Sequence, residues 1–577
     1  MATTATTSTT TKKTTTKKKK KKKKKASTPL NGFFHYAEKG GTFKGEICAG
    51  ISMGFLSVCG MFMNMQLILT MLVSSYSESA SSDIATNGEY VAMTWMASMI
   101  VAVVGTLLMG LVARLPLVQV TSLSLSTVLV TTVSLNTGLT YYNMLAIVFV
   151  SNVIYLIIAA IPQLRRFVYS ALPAPVRAAL PAAAGLLMAL VAAQLTGLFT
   201  TSSIIPNYGI DANLGDGYVT TSTLLAGITD FSYTTDTYHP QMLLAAIAVI
   251  LTVVIYLLCS NRKSNPVGTA LLWGTVIFLV LDVLFVCISW TNMSFSLTSL
   301  WGRLWIAGAE DAMEFHVSAA LSNLAIGKVF TSGFDFSGFT GDVSDLVVII
   351  ASTALSYVFL FLYDSDSTLV AVANENGEDA PDADKAGMPL LLNGITNVVA
   401  AIIGAAPVAI GKESVAGSKD KARSGLSSVV AAIVFAIDAF VWVVPFFMAT
   451  LTSYTISYNM YGHYGKVMQL LTETSFGVAD TVMMIVGLSM VVKAFANIDV
   501  KDSKQSAPFI TTVVATFLFS NLAAGVAAGT IAYVLVTLVG PKRAKSEPKE
   551  SVIKRIGGVP TLVWAIVSCV LLVLIAW

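Results

Sequence analysis

Charge is what this sequence has least of. Only 12% of its 577 residues are Asp, Glu, Lys or Arg, where a soluble protein carries about 25%. Pro116–Leu164 holds no charged side chain, and neither does Gln241–Ser260. About 20 apolar residues are enough to cross a bilayer as a helix, so a soluble domain is excluded and a polytopic membrane protein is indicated. Histidine is also scarce. His35, His239, His316 and His463 are scattered and none falls clearly inside an apolar run, which leaves no histidine metal site or proton relay. Cys48, Cys59, Cys259, Cys287 and Cys569 all lie in apolar segments at no metal-ligand spacing. They read as small buried hydrophobes, with no disulfide framework and no structural zinc. No nucleotide-binding loop, Ser–His–Asp arrangement or H-E-x-x-H motif is present. Catalysis, a cofactor and an ATP-driven pump are therefore not expected, and uphill movement of a solute would draw on an ion gradient.

The charge that is present is unevenly placed. Residues 1–31 contain eleven lysines, nine of them consecutive (Lys17–Lys25), and no acid; removing them from the net +4 leaves −7 for the rest. Such an arm reads as a disordered low-complexity tail that can touch anionic lipid. No basic fold or aromatic interleaving accompanies it, so nucleic acid is not an expected partner.

Apolar segments fall at about 46–73, 91–113, 117–135, 141–161, 176–198, 241–260 and 266–290. They resume at about 345–371, 388–406, 407–418, 425–452, 477–496, 506–521 and 522–540, and a last run, 558–577, follows a basic linker. With the polylysine end in the cytoplasm, the short loops carrying Arg114, Arg165, Arg166, Arg177, Arg262, Lys263, Lys419, Lys421 and Arg423 fall inside, as the positive-inside rule asks. Seven plus seven segments, an odd number in each half, makes the second half enter the membrane upside down, the inverted-repeat plan of many transporters. In such proteins short, interrupted segments at corresponding positions point to the binding site. Here these are the third segment, "PLVQVTSLSLSTVLVTTVSLN" (Pro116–Asn136), and the tenth, "GAAPVAIGKESVAGSKDKARSG" (Gly404–Gly425). Each is expected to pass from a short strand into a half-helix, and neither suits a lipid-facing position.

Acids inside these segments carry the chemistry. Intramembrane carboxylates are costly and mark sites or pathways. Glu413 follows Pro407 and Gly411, where a half-helix would begin and free N–H groups favour an anion or a ligand carbonyl. There it can accept from a ligand N–H or hold a proton. Asp364 and Thr368 are four apart and share a helix face. Asp366 points about 200° from Asp364 on a helix, so the two are not one carboxylate pair and the second needs its own partner, with Lys412 the candidate. Gln119, Thr121, Ser122, Ser124 and Ser126 offer uncharged donors and acceptors, with Asn64 and Gln194 as weaker candidates.

The order of these motifs resembles the AzgA-like purine permeases, the hypoxanthine–adenine–guanine branch of the nucleobase–cation symporters, from about Ile47 to Leu538. "AGISMGFLSVCGMFMNM" (Ala49–Met65) looks like that family's first helix and "GTLLMGLVARLPL" (Gly105–Leu117) like its second. "PAPVRAALPAAAGLLMALVAAQLTGL" (Pro173–Leu198) is similar to its fifth. "YDSDSTLVAVA" (Tyr363–Ala373) is similar to F-D-T-x-G-T-L, and "KESVAGSKDKARSGL" (Lys412–Leu426) to I-E-S-A-A-G-…-R-T-G-L. The resemblance places Asp364 on the family's eighth-helix Asp and Glu413 on the Glu expected to hold the purine ring. It departs in "SLSLS" (Ser122–Ser126) for G-x-G-x-N, with Ser126 at the Asn, in Asn393 and Ala524 for acids, and in Lys412 and Asp366 for uncharged residues.

The resemblance implies a core domain of segments 1–4 and 8–11, a gate domain of segments 5–7 and 12–14, elevator-like alternating access and proton-coupled purine uptake. The expected division is a tail at 1–44, core at 45–170 and 345–455, gate at 171–344 and 456–540, and a basic linker with a final hydrophobic segment at 541–577. The expected substrate contacts are Glu413, Asp364, Ser126, Ser124, Thr368, Gly411 and Lys412, with Glu413 and Asp364 also handling protons. Membrane lipid and a second copy of the chain, as a homodimer, complete the expected partners, in a plasma membrane with the N-terminus cytoplasmic. Two alternatives stay open: a transporter of the same fold that moves an anion, and a transport-incompetent relative acting as a sensor.

Overall fold

The computed structural model describes residues 29–75, 95–136, 138–195, 207–210, 219–222, 240–261, 265–289, 294–295, 324–441, 463–539 and 552–576. The polylysine run, most of the acidic loop at 199–240 and the linker at 541–551 lie outside them, as does the side chain of Gln194.

The apolar runs fold as helices because hydrocarbon offers a backbone no hydrogen-bond partner other than itself. In chain order they are α1 (Phe43–Ser75), α2 (Ala97–Leu108), α3 (Leu123–Leu135), α4 (Tyr141–Ala160), α5 (Pro162–Ala171), α6 (Ala174–Leu195), α7 (Pro240–Asn261) and α8 (Pro266–Cys287). The second half holds α9 (Val343–Asn376), α10 (Ala383–Ile403), α11 (Glu413–Lys419), α12 (Gly425–Val441), α13 (His463–Ala496), α14 (Ser503–Phe519), α15 (Leu522–Val539) and α16 (Val559–Ala576). Six stretches are long and apolar enough to span a bilayer: Tyr141–Ala160, Ala174–Ala193, Val343–Asn376, Ala383–Ile403, Val478–Ala496 and Leu522–Val539. The chain is a mostly helical, multi-pass membrane protein. Helices α9 and α10 run past the apolar limits read from sequence, to Asn376 and back to Ala383. Their polar ends carry caps: Gly377 stops α9 in the left-handed region, and the Asp382 carboxylate accepts from the Lys385 N–H.

Both interrupted segments contain a strand, β1 (Gln119–Thr121) and β2 (Val408–Ile410). Pro116 and Pro407 sit just before them, and proline disfavours helical backbone at the residue it follows. The strands pair antiparallel, Gln119 opposite Ile410, Val120 opposite Ala409 and Thr121 opposite Val408. The ladder continues through Gly411 N–H to Val118 O (2.9 Å) and Ser122 N–H to Pro407 O (3.1 Å). A two-stranded ribbon has two open edges, which cannot be left bare at this depth. Side chains close them. On α2, Thr106 Oγ1 accepts from the Gln119 N–H at 2.9 Å. On α10, Asn397 accepts from the Val408 N–H (2.8 Å) and donates to its carbonyl (2.7 Å).

Around the ribbon, Tyr357 of α9 donates to Leu125 O on α3 at 2.8 Å, and the Tyr155 ring of α4 stacks on Phe361 at 5.5 Å. Helices α6 and α13 approach closely at Gly185 and Gly487, where a Cβ on either would sit within 2.6 Å of the other's carbonyl oxygen. At the far end of α11, the Asp420 carboxylate accepts from Ser52 Oγ of α1 and from the Val267 and Gly268 N–H groups that open α8. Beside it, Glu375 takes both Lys419 (2.9 Å) and Lys493 (2.8 Å). The final helix α16 packs on α5, α9 and α15, its Trp564 stacked on Phe359 at 4.7 Å.

Candidate functional site

The ribbon brings the beginnings of α3 and α11 side by side, and a cavity of about 100 Å³ opens there. One wall is polar: Thr121, Ser122, Ser124 and Thr127 from the third segment, Asp364 from α9, and Gly411, Lys412 and Glu413 from the tenth. The opposite wall is apolar, formed by Leu187, Met188 and Val191 of α6 and Met483 of α13. A mostly apolar cavity with a few fixed polar groups is the usual form of a small-molecule site.

Glu413 and Asp364 both line this cavity, but their surroundings differ. Asp364 is fully buried and fully engaged. Its Oδ1 receives Lys412 Nζ at 2.6 Å and its Oδ2 receives Ser122 Oγ at 2.6 Å. Ser122 is also the N-cap of α3, so one hydroxyl ties the acid to the start of the half-helix. Glu413 is 6% exposed, and its Oε2 is buried without a hydrogen-bond partner among the described residues. The backbone leaves little spare room around it. A Cβ on Gly411 would lie 2.4 Å from Oε2, and one on Gly60 of α1 3.0 Å from Oε1. A buried carboxylate oxygen with no partner is open to a ligand donor or to a proton, since leaving it bare is costly.

Five of the seven residues expected at the site share this cavity: Glu413, Asp364, Lys412, Gly411 and Ser124. Two do not line it. Thr368 is fully buried and donates to Ile410 O at 2.8 Å, holding β2 against α9. Ser126 is fully buried one turn along α3, its hydroxyl without a partner among the described residues. Gln119 accepts from Asn393 Nδ2 at 3.2 Å and serves the ribbon. Asn64 is buried with both amide atoms unpartnered, one turn along α1 from the cavity-lining Gly60.

One expectation is corrected. Lys412 does not serve Asp366; it pairs with Asp364. Asp366 instead faces Arg177 and Tyr169, which bond it at 2.8 and 2.9 Å. The cause is helical phase: the two acids leave α9 in nearly opposite directions, and β2 delivers Lys412 to the Asp364 side.

Sequence reasoning passed over the apolar wall, because Leu, Met and Val in a membrane helix look alike whether they face lipid or a cavity. It also passed over Asp480, a buried acid on α13 three residues before Met483 and on the same helix face. An Asp within "FGVADTVMMIV" was the available signal. Among the described residues, no group of three His, Cys, Asp or Glu is placed to hold a metal ion.

Comparison with known proteins bears on the class of ligand. The chain is 24% identical over 516 residues to the guanine/hypoxanthine permease PbuG of Bacillus subtilis (strain 168), covering 89% of this chain and 94% of that one. It is 22% identical over 530 residues to a second guanine/hypoxanthine permease of that organism, PbuO, covering 89% and 96%. The chain is a relative of the nucleobase permeases. The adenine permease AdeQ of Escherichia coli (strain K12) is 26% identical over 243 residues, 38% of this chain and 48% of that one. These relatives are permeases, not enzymes. No family model matches. Among solved structures, the transmembrane domain of the cyanobacterial bicarbonate transporter BicA aligns with TM-score 0.45 and 14% identity over 84% of this chain and 97% of that chain. SLC26A9 aligns with TM-score 0.42 and 13% identity over 88% and 69%.

Proposed function

We propose that this nucleobase-permease relative is a secondary active transporter that takes up a purine, of the hypoxanthine, adenine or guanine class, together with protons. The observation that carries the reading is Glu413: a buried carboxylate oxygen without a partner among the described residues, at the edge of a cavity whose other polar side chains are hydroxyls and the mutually paired Asp364 and Lys412. Purine rings present N–H donors in the ring plane, and a carboxyl oxygen accepts from them whether or not the group carries a proton. Ser124 and the Thr121 hydroxyl supply further contacts along the same wall, and Met188, Val191 and Met483 sandwich the ring faces. Ser126, one turn deeper, completes the pocket once the half-helix shifts.

The ribbon suits an inverted repeat of about fourteen segments, in which two interrupted segments meet near the middle of the membrane. In this reading 45–170 and 345–455 form the core that carries the site, and 171–344 and 456–540 form the gate against which it moves in elevator-type alternating access. The tail at 1–44 and the segment at 541–577 stand outside that pair. The N-terminus faces the cytoplasm and the membrane is the plasma membrane. An anion cargo fits less well, because the Lys412 ammonium is already taken by Asp364 and the remaining charge at the cavity is the negative one of Glu413.

Radiolabelled hypoxanthine uptake, challenged by purines, pyrimidines and inorganic or organic anions with and without a protonophore, tests the reading. Competition by purines alone, lost with the protonophore, is expected. Competition by anions but not purines would replace it with the anion reading, and hypoxanthine binding without flux would favour a sensor.

A further inference from the structure

Asp364 and Glu413 lie at one cavity, yet only one of them is free to change its charge. Asp364 is closed off by two short contacts, the Lys412 ammonium on one oxygen and the Ser122 hydroxyl on the other, both at 2.6 Å. Its side chain is fully buried and that of Lys412 is 14% exposed, so the pair is shielded from water and weakly screened by salt. Protonating Asp364 would leave the lysine's charge stranded in the protein, and taking one partner from a buried pair is strongly unfavourable.

No other charge competes for Asp364. On α9, Asp366 is turned away and neutralised by Arg177 of α6. On α13, Asp480 has no ion pair among the described residues, and α1 presents the bare face of Gly60 to Glu413. On α11, Glu413 itself remains, with its Oε2 unpartnered.

We propose that Lys412 is a resident counter-cation, a positioning residue that keeps Asp364 ionised throughout the transport cycle and leaves Glu413 as the one cavity carboxyl that exchanges a proton. The proposal deepens the reading of a proton-coupled nucleobase transporter and rests on it for the cycle itself. A proton from the outer aqueous phase adds to Glu413 when the cavity opens outward, and the same proton leaves to the cytoplasm when it opens inward.

The test reads the carboxyls directly. Infrared difference spectra of the purified full-length protein between acidic and neutral pH follow buried carboxyls that titrate, with no substrate present. Glu413→Gln should remove part of the titrating carboxylic-acid band, whereas the charge-neutral double variant Lys412→Gln/Asp364→Asn should leave that band as in the wild type. Lys412→Gln should add a component, and the double variant Lys412→Gln/Asp364→Asn should lose it again. A component of the wild-type band lost in that double variant overturns the proposal, and this comparison stands even where Lys412→Gln does not fold. Hypoxanthine binding by the same wild-type sample, measured in parallel, separates the two readings. Failure to bind with the infrared pattern intact overturns the purine reading while supporting the charge assignment.

Discussion

Arg177 and Asp366 form a bidentate ion pair between α6 and α9, Nε to Oδ2 and Nη2 to Oδ1, each at 2.8 Å. Tyr169 donates to the same carboxylate, its ring lies 4.5 Å from the guanidinium carbon, and Pro381 O accepts a further bond from Nη2. The acid is 3% exposed and the arginine 18%, so removing one partner strands a charge. Arg177→Leu should cost about 3–5 kcal/mol, read as a lower melting temperature of the purified protein. Arg177→Lys should recover only part of it, because an ammonium cannot form the fork. The double variant Arg177→Leu/Asp366→Leu should melt higher than Arg177→Leu alone; equal melting of all three and the wild type would show that the pair holds nothing together.

This pair marks the boundary of what was legible in the sequence. The membrane class was plain from charge-free runs, and Pro116, Pro407, Gly411 and Gly417 announced both interrupted segments, because proline and glycine act locally on the backbone. Helical phase separated Asp364 from Asp366. It did not tell which of them Lys412 would reach, since that depends on the register of β1 against β2, a pairing across almost 300 residues of chain. Arg177 looked like a loop charge of the positive-inside kind. Asn397 drew no notice in the sequence; its role as the missing strand neighbour of Val408 exists only once the ribbon has formed.

Glu413→Gln should lower hypoxanthine uptake at least about tenfold, because an amide carries no exchangeable coupling proton and alters the hydrogen bond to the substrate. The amount of protein in the membrane should not change, because Glu413 Oε2 has no hydrogen-bond partner among the described residues. Uptake by whole cells, normalised to the immunoblotted membrane fraction, measures both. Undiminished uptake would remove Glu413 from the site.

Two glycines test how closely the backbone wraps that carboxylate. A methyl at Gly411 would stand 2.4 Å from Glu413 Oε2 and 2.7 Å from Val120 Cγ2, so either the acid or β1 must move. A methyl at Gly60 would stand 3.0 Å from Oε1, a crowding that a small rotation relieves. Gly411→Ala should therefore raise the KM for hypoxanthine about tenfold or more and Gly60→Ala only a few-fold, since overpacking a tight site costs about 1–3 kcal/mol. The reverse order would mean that Glu413 faces α1 more closely than β2.

The ribbon's edges are the last point of leverage. Asn397 bonds both the N–H and the carbonyl of Val408, at 2.8 and 2.7 Å, and that carbonyl also accepts from Asn393 Nδ2 at 3.3 Å; Thr106 Oγ1 accepts from the Gln119 N–H at 2.9 Å and donates to its carbonyl at 3.3 Å. A buried polar group stripped of its partner costs about 1–3 kcal/mol. Asn397→Leu and Thr106→Val each leave a strand N–H without its partner, so each should lower the melting temperature by a similar amount. Uptake should fall with it, because β2 is what carries Gly411, Lys412 and Glu413 to the cavity. Asn397→Asp offers the finer discrimination. The carboxylate keeps the acceptor for the Val408 N–H and sets a negative charge against the Val408 carbonyl, so this variant should be no more stable than Asn397→Leu. If it instead matches the wild type, the amide is not the ribbon's third strand.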